Sequence, residues 1–266
     1  MKTFKHLKRA IFGALCVAGL AALTNVSNAD TYDFNWTTPG ANIATNDAAG
    51  SYHTISTEYD SSTQHLTWSG NFTAGSTGNA LPNGFTLAIS SGPNPKGVAG
   101  QLALFYFDAS KGAPILTAYG YNGQNAVNTF STPNPPDFIA SSTANANWVN
   151  SLTYKTEANG SKTLGFDINA SMINSHISPY TPPGSSFEGA KYGSNIGIWF
   201  HEYTGLQTSY LDNGYVATWN SSNQGWYDTS NEKTTSVTPE SSSLVLLCVG
   251  LAGLSPVLAL RRRKSQ

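Results

Sequence analysis

The sequence predicts an all-β protein: an antiparallel β-sandwich of the jelly-roll or lectin-like kind with one short helix. Three observations predict it. Apolar residues recur with period two along much of the chain, the spacing of half-buried strands. Short turn-forming clusters of Asn, Gly, Asp and Ser separate these runs, the punctuation of a meander rather than of helices. Only 11% of the 266 residues are charged while 12% are aromatic. A coiled coil needs far more charge, and a disordered chain far fewer aromatics.

The strands follow in order. Residues 51–59 (SYHTISTEY) and 64–73 (QHLTWSGNFT) flank Asp60-Ser61-Ser62-Thr63, a turn. Leu66, Trp68 and Phe72 fall on or near one face, with a slip around Gly70. In 84–90 (GFTLAIS), Phe85, Leu87 and Ile89 alternate. Residues 101–108 (QLALFYFD) are apolar on both faces, which predicts a central strand. Residues 114–123 follow a Ser-Lys-Gly turn. Residues 150–158 and 161–169 flank Asn159-Gly160, a strong hairpin signal because both residue types tolerate positive φ. Residues 195–203 (NIGIWFHEY) predict another buried strand, and Asn213-Gly214 a second hairpin. The one helix is predicted over 170–177. Met172, Ile173, His176 and Ile177 share a helical face, Asn169 is the N-cap, and Pro179 lies beyond the end.

Both ends read as addresses. Residues 1–29 have a basic start (Lys2 to Arg9), an uncharged and mostly apolar stretch over 10–23, and Ser27-Asn28-Ala29 before Asp30. That is the pattern of a cleaved signal peptide, and the apolar stretch falls short of the roughly 20 residues of a membrane span. Residues 241–260 are twenty uncharged, mostly apolar residues followed by Arg261, Arg262, Arg263 and Lys264. A helix of that length reaches about 30 Å, one hydrocarbon thickness, and the basic cluster stays on the cytoplasmic side. The expected organisation is signal peptide 1–29, exported domain 30–228, Ser/Thr-rich linker 229–238, and a tail 239–266 containing a transmembrane helix. The two cysteines, Cys16 and Cys248, lie in the leader and tail, so the exported domain has neither disulfide nor thiolate. From Asp30 to Val237 there are six Lys, no Arg and fourteen acids, a net of −8. That sign excludes a nucleic-acid partner.

Pro239-Glu240, an apolar helix and an Arg cluster (Arg261, Arg262, Arg263) at the C-terminus resemble the PEP-CTERM sorting tail of Gram-negative bacteria. Ser241 stands where that motif has its second Pro. The resemblance implies export, a precursor tethered transiently in the inner membrane, and removal of the tail by an exosortase. The mature product would then sit at the cell surface or in the extracellular matrix. Gly92-Pro93-Asn94-Pro95-Lys96-Gly97 before a strand ending in Asp108, with Ile196 to His201 later, is similar to a group of exported PEP-CTERM proteins. That group implies a fold and little chemistry. Segment 84–108 is also similar to legume-type lectins, where a strand ending Glu-Phe-Asp supplies metal-binding acids; here it ends Tyr106-Phe107-Asp108.

No catalytic residue, metal or other cofactor is assigned. Asp108 reads as a strand-end Asp capping a turn with Ser110. His201 and Glu202 are adjacent on a strand and so point to opposite faces. Glu58 and Asp60, at i and i+2, share a face and are the one acidic pair a glycosidase could use, but Asp60 also starts the turn before Gln64. There is no Gly-x-Ser-x-Gly elbow and no Gly-rich loop opening a helix. His53, His65, His176 and His201 lack short metal-ligand spacing. Trp219, Trp226 and Tyr227 lie in a polar segment rich in Asn, Ser and Gly. They are glycan-binding candidates, since a flat ring stacks on a sugar and amides bind its hydroxyls, or else they close the last hairpin over the core. The expected function is an exported structural or adhesive protein with weak binding of extracellular polysaccharide. The alternative is a carbohydrate-active hydrolase using an acidic pair.

Overall fold

A computed structural model describes residues 29–35, 51–74, 80–92, 94–124, 130, 136–193 and 195–228. Residues 1–28 of the expected signal peptide, the expected linker from 229 and the whole expected sorting tail lie outside them. Among the described residues, no helix is long and apolar enough to cross a membrane.

The strands are β1 (Ala29–Asn35), β2 (Ser51–Asp60), β3 (His65–Thr73), β4 (Gly84–Ser90), β5 (Ala103–Asp108), β6 (Ile115–Gly120) and β7 (Asp137–Ser141). After them come β8 (Val149–Thr156), β9 (Lys162–Asn169), helix α1 (Ser171–Asn174), β10 (Gly197–Thr204), β11 (Gln207–Tyr210), β12 (Val216–Asn220) and β13 (Asn223–Asp228). They form a five-stranded sheet, β1-β2-β3-β9-β8, a six-stranded sheet, β13-β10-β4-β5-β6-β7, and the hairpin β11-β12. All strand pairings are antiparallel. The all-β, sandwich-like expectation holds at this level.

Alternation explains the layers. Leu66, Trp68 and Phe72 of β3, with Leu164, Phe166 and Ile168 of β9, turn inward from the five-stranded sheet. They share one core with Phe85, Leu87, Phe105, Phe107, Ile198 and Phe200 of the six-stranded sheet. Phe105 meets Phe166 at 5.1 Å and Trp68 meets Phe200 at 5.6 Å, so aromatic contacts cross between the sheets. Each such buried ring contributes roughly 1.5–3 kcal/mol. The six-stranded sheet is buried on its other face as well. Leu104, Tyr106, Tyr119, Tyr121, Trp199 and Tyr203 form a second cluster there with Leu206 and Val216 of the β11–β12 region. That is why β5 is buried at every position.

Both expected Asn-Gly hairpins form, with a different backbone from the one expected. Only the glycines take positive φ, Gly160 at 83° and Gly214 at 85°. Asn159 instead accepts the Ser161 N–H on its side-chain oxygen, and Asn213 that of Tyr215. The helix is shorter than expected, four residues rather than eight. Its N-cap is Ala170, which makes no side-chain cap bond, rather than the expected Asn169; Asn169 lies one residue earlier and accepts the Ser171 N–H. Of the expected apolar face only Ile173 is buried, while Ile177 is 88% exposed. The chain leaves the helix at Asn174, whose buried side chain donates to the Tyr59 hydroxyl and Gln64 and accepts from the Ala190 N–H. This amide ties the helix to β2, to the β2–β3 turn and to the segment before β10. Strands β1, β7 and β13 were not expected from periodicity.

Candidate functional site

The six-stranded sheet carries its polar chemistry on the face away from the sandwich core. Tyr106 hydrogen-bonds Thr208 at 2.6 Å and Tyr203 hydrogen-bonds Thr86 at 2.7 Å. The Tyr119 hydroxyl accepts the Val216 N–H. Burial raises the phenols of Tyr106, Tyr119 and Tyr203 above their ordinary range, so they act as neutral hydrogen-bonding groups. The bonds to Thr208 and Val216 join the sheet to the β11–β12 hairpin, and the Tyr203–Thr86 bond lies within the sheet, between β10 and β4. Trp219, on β12, meets the ring of Tyr203 edge-on at 5.0 Å and is half-buried. It belongs to the layer that closes the face rather than to an open stacking platform. Trp226 and Tyr227 stand in β13 opposite His201 and Phe200, at the edge of the same sheet.

The acids hold the scaffold. Asp108 is buried, with one oxygen accepting the Ser110 N–H and the other the Tyr210 hydroxyl, both at 2.7 Å. Burial first, and then the Asp108 charge, push the Tyr210 phenol far up, which keeps it a donor to the carboxylate. Asp60 accepts from the N–H and hydroxyl of Ser62 and from the N–H of Thr63. It closes the β2–β3 turn, which Gln64 leaves at φ 57°. Glu58 lies two residues before it on the outward side of β2.

His201 and Glu202 are both buried, and they diverge as strand geometry requires. The His201 ring lies 4.6 Å from Trp199 in the outer layer. Burial, and secondarily the charge of Lys96, hold its imidazole down at about 3, so it is neutral at pH 7. Glu202 lies against Gly225 of β13, where a Cβ would overlap its carboxylate. The loop before Lys96 is built by its own residues. Asn94 accepts the Gly97 N–H and Pro95 opens a 3-10 turn over Pro95–Val98, which packs on β4 and β10.

Two pairings escaped sequence analysis. His65 meets Asp167 at 2.7 Å, and Asn150 also donates to Asp167. His176 meets Asp137 at 2.5 Å, beside the ring of Phe187. The partners lie 102 and 39 residues apart in the chain, so no local spacing announces them. Among the described residues no three His, Cys, Asp or Glu side chains gather as a metal site. Compared with protein families, curated proteins and solved structures, the chain matches none.

Proposed function

We propose that this is an exported, non-enzymatic protein of the cell surface or extracellular matrix, structural or adhesive, that binds neutral polysaccharide weakly. The tail at Pro239, Glu240, Arg261, Arg262 and Arg263 directs it there through an exosortase-type enzyme, and its sandwich is of the jelly-roll or lectin-like kind. The support for sorting is in the sequence. The support for binding over catalysis is one observation. Asp60, Asp108 and Glu202, acids the sequence offers for chemistry, are engaged by turns or packed into the scaffold. A glycosidase needs two carboxyl groups facing one bond, about 5 or about 6.5–9.5 Å apart. In the one acidic pair of the sequence, Glu58 and Asp60, Asp60 is engaged by Ser62 and Thr63 in the β2–β3 turn.

The test uses the full chain and its Glu58→Gln and Glu202→Gln variants on the host's own extracellular polysaccharide. Retention without sugar release, unchanged in both variants, is expected. Sugar release that disappears with either single change overturns the proposal in favour of the hydrolase.

A further inference from the structure

A cleft of about 200 Å³ opens between the β7–β8 connection and the start of α1. Asn145, Asn147, Trp148, Asn169, Ser171 and Met172 line it. We propose that this cleft binds a single neutral sugar ring, a terminal or branch residue of a polysaccharide. The proposal rests on the glycan-binding function above and gives it a different location from Trp219, Trp226 and Tyr227.

The lining chemistry selects the ligand. None of the six residues is charged, so nothing there would balance a phosphate, a carboxylate or an ammonium group. Three carboxamides and a hydroxyl instead present the mixed donors and acceptors that adjacent sugar hydroxyls require. Part of that capacity is already used to fix the site. Asn145 accepts the Asn147 N–H at 3.0 Å, Asn169 accepts the Ser171 N–H at 2.9 Å, and the Asn169 N–H donates to the Trp148 carbonyl at 2.8 Å. The NH₂ groups of Asn145 and Asn169, the whole Asn147 amide and the Ser171 hydroxyl remain for a ligand. Trp148 is 4% exposed and its indole N–H has no hydrogen-bond partner. That N–H is enclosed, so Trp148 serves the cleft through its ring and not as a donor. Met172, 38% exposed, adds a thioether against which sugar C–H groups can pack.

Size and rigidity set the mode of binding. Ligand pockets for drug-sized molecules run to roughly 300–1,000 Å³. This cleft is smaller, which fits one ring and millimolar rather than nanomolar affinity. The backbone of the lining residues is held by β9, α1 and a hydrogen-bonded turn, so the ordering entropy lost on binding is mainly that of the exposed side chains.

The test is saturation-transfer NMR on the full chain in mild detergent, with glucose, galactose, mannose and N-acetylglucosamine each at millimolar concentration. Asn147→Ala and Ser171→Ala remove side chains that make no hydrogen bond through their polar ends, so folding is preserved; far-UV dichroism checks it. At least one sugar is expected to bind, with affinity falling about threefold to tenfold in each variant, the loss of one hydrogen bond, and unchanged in Trp226→Ala. Binding that survives Asn147→Ala and Ser171→Ala but is lost in Trp226→Ala overturns the cleft and leaves glycan binding standing. Binding unchanged in all three variants also overturns the cleft. No binding of any of the four sugars, or of the host polysaccharide, overturns both.

Discussion

Trp199→Ala tests whether the outer face of the six-stranded sheet is a second core. The indole is fully buried, stacks on Tyr121 at 5.1 Å and lies 4.6 Å from the His201 ring. Across the ladder it faces Ala88, a residue too small to fill the space left by truncation. Large aromatic-to-Ala changes in such sites cost about 3–5 kcal/mol. In a domain of this size each kcal/mol moves Tm by about 2–4 °C, so the loss should be about 6–20 °C. The Trp199 N–H has no hydrogen-bond partner, so Trp199→Phe forfeits volume but no hydrogen bond. It should cost less than half as much. Thermal melts followed by far-UV dichroism on the full chain in mild detergent give both numbers. A loss below about 2 °C for Trp199→Ala would refute the two-sided core. A Phe variant as unstable as the Ala variant would mean that the indole nitrogen makes a bond the geometry does not show.

Further expectations concern protons, buried amides, backbone contacts and processing. His201 has an ordinary value of 6.5 and is held at about 3 in the fold, so the unfolded chain binds more protons between them. Stability should therefore fall as pH drops from about 6.5 toward about 3, by up to roughly 1.4 kcal/mol per pH unit from this one group. Urea midpoints across that range should decline less steeply in His201→Phe, and parallel curves would contradict the burial of the imidazole. Asn174→Ala should lose about 1–3 kcal/mol, because it strands the Ala190 N–H and the Tyr59 hydroxyl; urea unfolding measures it. Gly165→Val should destabilise by more than about 1 kcal/mol, since even a Cβ there would lie 2.4 Å from the Trp68 carbonyl oxygen; a melt within 1 °C of the parent would contradict the β3–β9 register. Intact mass of the surface form should show loss of residues 1–29 and of the tail near Pro239-Glu240; a full-length C-terminus would mean an ordinary anchor.

Where side-chain period alone decides an element, the sequence was readable. GFTLAIS was expected as a strand over 84–90 and occupies those residues as β4. β13 was not readable because NQGWYD has no alternation, and its place comes from pairing with the free side of β10. The helix was overextended because Met172, Ile173, His176 and Ile177 have helical spacing, whereas the bonds of Asn174 to three distant groups decide where the helix stops. Asp108 and Asp60 were legible as turn formers, since their turn partners are two or three residues away, whereas the bond of Asp108 to Tyr210, 102 residues on, was not. The His65–Asp167 contact was not legible, because strand order brings those residues together from 102 positions apart, nor was the Asn-lined cleft, which forms only where the two ends of the β8–β9 hairpin meet.

Strand order also dictates when the fold can be completed. β1 to β3 make one half of the first sheet and β4 to β7 most of the second, all from the first 141 residues. Each half then waits for a late partner. β9 pairs with β3 and β10 with β4, across separations of roughly 90–120 residues. Until both arrive, the nascent chain carries two bare strand edges in its middle, each apolar on at least one face. Such edges recruit other chains, and long-range pairing is slow. A chain made from its N-terminus thus first presents two unfinished half-sheets. The first seam closes only with β9, which ends at residue 169, and the second only with β10, which ends at residue 204, so any truncation ahead of Lys162 leaves both open and is prone to aggregate rather than to fold.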